Sequence, residues 1–138
     1  MDAREYLENY ELLEAVISNT IAEISMLDTK AKGTTAQMGG ERVQSSGSQQ
    51  KMADAIDRKV DLEEEIAECR RKQKEIKETI KMLKVDQYNV LHKRYILNML
   101  FKEIDAECKK KDGWATTVHG RALISLQRIL DAKEKAGI

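Results

Sequence analysis

From Met52 to Leu83 one set of positions advances in alternating steps of three and four: Met52, Ala55, Lys59, Leu62, Ile66, Cys69, Gln73, Ile76, Ile80 and Leu83. A mostly apolar seam with that spacing stays on one side of an α-helix and leaves the other sides to water, which commits the stretch to a long helix lying along a partner. Lys59 and Gln73 interrupt the seam, and polar seam residues lower stability while fixing register and oligomer state. Ile56 and Val60 widen the apolar stripe near its start. The helix is expected over residues 49–84, roughly 50 Å at about 1.5 Å per residue.

A matching seam occupies residues 3–31, through Tyr6, Tyr10, Leu13, Ile17, Thr20, Ile24, Leu27 and Ala31, with Ile21 beside it. Residues 32–50 between the two seams hold Gly33, Gly39, Gly40 and Gly47 among Thr, Ser and Gln, and show no period. They are expected to form a loop longer than most helix connections, hence functional or mobile. Ser48 is a candidate cap for the helix that follows.

Charge decides how the two helices pair. The first begins acidic (Asp2, Glu5, Glu8, Glu11, Glu14) and the second ends basic (Arg70, Arg71, Lys72, Lys74, Lys77, Lys81, Lys84). The second begins acidic, near the Lys30 and Lys32 end of the first. Only an antiparallel hairpin sets these opposite charges side by side, although each exposed pair contributes a few tenths of a kcal/mol at most. The absence of proline leaves nothing to forbid helix, and the absence of β-branched and aromatic runs leaves sheet poorly supported.

The last third changes character. A short helix is expected with Asp86 as its cap and Tyr88, Leu91, Tyr95 and Met99 inside, then a second with Phe101, Ile104 and Cys108. After the break Lys109-Lys110-Lys111-Asp112-Gly113, a final helix carries Trp114, Val118, Leu123, Leu126, Ile129 and Leu130 on its buried side, with Asp112 as the candidate cap. Short helix, polar turn, longer helix is the helix-turn-helix layout. The expected fold is therefore all-α. Residues 1–84 form a long antiparallel coiled-coil hairpin with loop 32–50, serving as an oligomerisation arm, and residues 85–138 form a helix-turn-helix unit.

Catalysis finds no support. His92 and His119 stand on different helices with no carboxylate or cysteine at ligand spacing, and no phosphate-binding glycine loop follows a strand. Cys69 and Cys108 lack CxxC or His-rich neighbours, so neither a disulfide scaffold nor a metal site is expected, and a reducing cytoplasm is the expected location. No run approaches the roughly 18 apolar residues of a membrane span. No cofactor is called for.

A DNA-binding signal comes from the C-terminal part. Ten Lys and Arg stand against seven acids from residue 85 onward, a net +3, whereas residues 1–50 carry four bases against eight acids, a net −4. The excess has the sign that phosphate contact needs. Lys109, Lys110 and Lys111 precede a helix N-terminus, whose free N–H groups suit an anion. Gly113, Thr116, Thr117 and Gly120 lie off the apolar stripe, small enough to let the helix sink into a major groove. His119 and Arg121 follow where phosphate contact is expected, with Lys93 and Arg94 as further phosphate contacts. The bland alternative is a helix that merely closes a small bundle.

Leu91-His92-Lys93-Arg94-Tyr95, then Leu100-Phe101-Lys102-Glu103-Ile104, then Trp114 and Val118-His119-Gly120-Arg121-Ala122-Leu123 together resemble region 4 of sigma factors. The chain is more closely similar to a family of small phage proteins with a sigma-region-4-like C-terminus, related to the RinA/ArpU-type late transcriptional regulators. The segment Glu41-Arg42-Val43-Gln44-Ser45-Ser46-Gly47-Ser48, followed by Lys51-Met52-Ala53-Asp54, matches the N-terminal half of the same family. The resemblance implies control of phage late genes through double-stranded DNA in the cytoplasm of a bacterial host. It places Gly113, Thr116 and Thr117 where region 4 reads the promoter, and Arg121 at a basic position of the same helix. Asp105 and Lys109 depart from the pattern: a small residue usually packs at the first, and glycine usually makes the turn at the second. A buried Asp is unfavourable unless paired.

The leading expectation is a sequence-specific DNA-binding transcriptional regulator, acting as a homodimer or higher homo-oligomer through Val16, Ile21, Ile56 and Val60. The alternative is a protein–protein adaptor that uses the coiled coil and the loop around residues 42–48, with RNA polymerase as a candidate partner.

Overall fold

The computed structural model describes residues 1–37 and 46–137. It is all-helical, with no strand among the described residues: α1 (Ala3–Gln37), α2 (Ser46–Ile80), α3 (Val85–Leu91), one π-helical turn (His92–Ile96), α4 (Phe101–Glu107) and α5 (Trp114–Ala136). No described helix is long and apolar enough to cross a membrane.

The expected loop over 32–50 is too wide. Helix continues to Gln37 and resumes at Ser46, two residues before the expected cap at Ser48. Residues 32–37 contain one isolated glycine and no proline, and a single Gly lowers helix stability by about 1 kcal/mol without stopping it. Residues 38–45, which include Arg42 and much of the expected functional loop, lie outside the described residues. At the other end α2 stops at Ile80 instead of Lys84, through tight turns in which Met82 N–H reaches Thr79 O and Leu83 N–H reaches Ile80 O.

Two compact units result, and they divide the chain elsewhere than between residues 84 and 85. The hairpin unit is Glu14–Arg70. Within it α1 and α2 run antiparallel, with Arg58 beside Glu23 at 3.7 Å and Lys59 beside Asp28 at 3.5 Å. Ile17, Thr20, Leu62 and Cys69 of the two seams are buried. The Thr20 hydroxyl donates to Val16 O at 2.7 Å, which settles a polar group in the seam without a partner from α2.

The terminal unit joins Met1–Leu13 to Arg71–Ile138. Here too α1 and α2 are antiparallel: the Gln73 amide donates to Tyr10 O at 3.3 Å, and the Tyr6 hydroxyl donates to Thr79 Oγ1 at 2.9 Å. Gln73 is buried, so the polar seam position is held by a hydrogen bond. Thr79 also accepts from Lys133 Nζ at 2.8 Å, tying α5 to the same point, and donates to Glu75 O. Burial pushes the Tyr6 phenol pKa up against the opposing pull of that Thr79 hydrogen bond. Gln127 clamps the chain start, accepting from Ala3 N–H at 2.7 Å and donating to Met1 O at 3.0 Å. Leu7, Ile76, Ile80, Leu91, Ile104 and Leu126 are buried in this unit. Each such side chain contributes about 1.5–3 kcal/mol by leaving water.

Candidate nucleic-acid interface

The candidate interface consists of α4, its turn and α5. Val90, Ile104, Ala115 and Val118 form a buried cluster, with Met99, Phe101, Cys108 and Trp114 packed against it. At the start of α4, Glu103 accepts the Leu100 N–H at 2.8 Å and so caps the helix locally. At its end Lys110 N–H bonds to Asp105 O at 2.8 Å and Lys109 N–H to Ala106 O at 3.1 Å. Those two bonds make a Schellman closure, which needs a left-handed residue at its corner. Lys109 is that residue, with φ 58°. The turn therefore keeps the conformation that glycine favours and accommodates a lysine in it, at about 1 kcal/mol.

Asp105 is the second departure, and the structure shows what offsets its burial. It is 4% exposed. One carboxylate oxygen accepts Gly113 N–H at 3.0 Å and the other accepts Ala115 N–H at 2.7 Å. A residue of α4 thus caps α5, in place of the expected Asp112, which is exposed one residue before the capping position, Gly113. Gly113 sits at φ 91°, a conformation open to glycine at little strain. The Asp86 cap expected for α3 is likewise displaced, since Lys84 holds the capping position and Asp86 falls in the first turn.

This cap changes the electrostatics of the site. Trp114 N–H bonds to Lys111 O, Ala115 N–H to Asp105, and Thr117 N–H to Gly113 O. Those donors already have acceptors, and a carboxylate stands among them. The α5 N-terminus is accordingly poorly suited to a phosphate, against the expectation from the three preceding lysines. Any phosphate contact there falls to the side chains of Lys109, Lys110 and Lys111, all exposed. The Lys110 ammonium lies 5.5 Å from the Trp114 ring centroid.

The other expected site residues divide clearly. Thr116, Thr117, Gly120 and Arg121 are exposed along α5, and a side chain at Gly120 would meet nothing within 4 Å. His119 is not at the surface: it is 7% exposed, hydrogen-bonded to the Tyr95 hydroxyl at 2.7 Å and edge-on to Phe101. Burial lowers its pKa, as do Arg4 and Arg94. A neutral, buried imidazole makes no phosphate contact. Its place follows from the helix period, because the buried stripe runs through Ala115, Val118, His119, Ala122, Leu126 and Leu130. Reading the stripe from large side chains alone passes over the two alanines and tilts it away from His119.

Lys93 and Arg94 also turn inward. Lys93 pairs with Glu107, a hydrogen bond that raises its pKa, and so ties the π-helical turn to α4. Arg94 donates to Met99 O at 3.2 Å and lies over the Phe101 ring at 4.3 Å. Both are half-buried and help to position α4.

Two features had no sequence signal. Ile124 is 58% exposed on the same outward face as Thr117 and Gly120. A cleft of about 330 Å³ is lined by Lys84, Val85, Asp86, Gln87, Val118 and Arg121. Residues from two helices converge there, a juxtaposition that no linear motif records. No family model, curated protein or solved structure matches the chain.

Proposed function

We propose that the chain is a sequence-specific DNA-binding regulator of the phage late-gene kind that its residues resemble. The observation that carries the reading is the outward face of α5. Gly113, Thr116, Thr117, Gly120 and Arg121 are all exposed there. They follow a turn held by Asp105 and by the closure at Lys109. Small and hydroxyl side chains on a rigidly presented helix suit close approach to base edges in a major groove, and Arg121 suits a guanine edge or a phosphate.

Two reading heads require a dimer, and the hairpin unit offers apolar surface for one: Ile21, Ile56 and Val60 are exposed and Val16 is half-buried. The same surface favours the second reading, an adaptor that docks on another protein such as RNA polymerase.

The test is a titration against a randomised duplex pool at several salt concentrations, beside a protein carrying Thr116→Ala, Thr117→Ala and Arg121→Ala. The expected result is selective binding that weakens steeply with salt and is lost in the triple variant. A folded protein that binds no duplex at low salt overturns the regulator and leaves the adaptor.

A further inference from the structure

We infer that the cleft between the start of α3 and α5 is a clamp for one backbone phosphate of bound DNA, with Lys84, Gln87 and Arg121 as its ligands. The inference rests on the DNA-binding reading and adds the contact that would set the depth and register of α5 in the groove.

The geometry supports it in three ways. First, the cleft holds about 330 Å³ and brings an ammonium, a guanidinium and a side-chain amide from two helices to one opening. These are donors of the kind that phosphate oxygens accept, and Arg can offer two parallel bonds. Second, it borders the proposed reading face, because Arg121 belongs to both: it lies one turn after Thr117 and beside Gly120. A phosphate held here fixes the rotation of α5 about its own axis, and so decides which side chains face the bases. Third, the basic side chains continue along α5: Arg128 is exposed two turns beyond Arg121, on the same side of the helix.

With the strand seated there, Ile124 falls among the side chains facing the groove. Its exposed methyl groups match the C5-methyl group of thymine, which a major-groove reader meets by apolar contact.

Asp86 also lines the cleft, and its carboxylate opposes the phosphate. That conflict makes the inference sharp. If a phosphate enters the cleft, removing the Asp86 charge tightens binding; if the cleft stays empty of DNA, it does not.

The experiment is fluorescence anisotropy on a selected duplex and on an unrelated one of equal length, across a salt series. The proteins are the full chain, Lys84→Gln, Asp86→Asn and, as a charge-matched control in the hairpin unit, Lys51→Gln, each checked for folding by circular dichroism and thermal melting. For Lys84→Gln we expect roughly 3- to 10-fold weaker binding to both duplexes and a salt slope shallower by about 0.9. Asp86→Asn should bind both more tightly, and Lys51→Gln should match the unaltered chain. Lys84→Gln and Lys51→Gln weakening binding equally would reduce the effect to net charge and overturn the clamp alone. So would wild-type binding that Lys84→Gln leaves unchanged. Absence of DNA binding by the folded wild-type chain overturns the clamp and the regulator together.

Discussion

In the hairpin unit Ile56 is 60% exposed, Val60 is also open to water, and the ion pairs across the seam sit at the surface. In the terminal unit Ile80, Ile104 and Leu126 are fully enclosed, and polar groups such as Thr79, Asp105 and His119 are buried with partners. Two helices can cover only the stripe each turns to the other, so a hairpin always leaves flanks open. Adding α3, α4 and α5 closes a core in three dimensions. Once closed, that core can hold buried polar groups, provided each one finds an acceptor or donor. The regions therefore differ in what sustains them: a linear seam in one, a network of specific contacts in the other.

The largest break in this comparison should come from core truncation. Ile104→Ala in the terminal unit is expected to lose about 2–5 kcal/mol in a urea titration, whereas Ile56→Ala in the hairpin unit should change stability by about 0.5 kcal/mol or less. A larger loss at Ile56 that grows with protein concentration would show that a second copy covers it.

Next comes the α5 cap. Asp105→Ala leaves Gly113 and Ala115 N–H without their acceptor, at about 1–3 kcal/mol. Asp105→Asn, which can still accept one of the two bonds, should lose less. Equal losses in the two variants would mean that packing, and not hydrogen bonding, keeps an acid there.

Lys109→Gly should move the other way, gaining about 1 kcal/mol as the left-handed corner passes to the residue best able to adopt it. Lys109→Ala keeps the strain and should not gain, so the pair separates backbone from charge.

Gentlest is the acid limb. Burial lowers the His119 pKa, helped by Arg4 and Arg94; desolvation lowers that of His92, helped by Lys77, Lys93 and Lys81. The unfolded chain then takes up protons first as pH falls below about 6.5. Stability is full above that value and declines as pH falls through the lower folded-state values. Thermal midpoints compared at pH 7.5 and 5.5 should show the decline, and His119→Gln should shrink it.

Much of the architecture was legible in the sequence. The seams through Ile17, Leu62, Cys69 and Ile76 named the helices and their buried sides, and the opposed charges named the antiparallel pairing. The polar break before Trp114 located the turn. What stayed hidden depended on contacts between residues distant in the chain or on small side chains. Asp105 looked like a misfit because its partners are backbone N–H groups, which no residue letter reveals. His119 looked like a surface cation because Ala115 and Ala122 carry the buried stripe without bulk. Lys93 and Arg94 counted as free charge until Glu107 and Phe101 were set beside them. The cleft at Lys84 was invisible because the sequence places that lysine at the end of the hairpin, far from Arg121.

The clamp of Gln127 on Met1 and Ala3 has a consequence for how the chain is made. Its two ends meet across 124 residues of sequence. During synthesis at about 5–20 residues per second, the first turns of α1 wait on the order of ten seconds before Gln127 exists. Ala3 N–H and Met1 O stay without their Gln127 partner for that interval. The turn from α4 into α5 closes between near neighbours and can form as soon as it emerges, because short loops close early. A slow stretch of translation ahead of Gln127 would lengthen the time in which the start of α1 is open to the wrong partner.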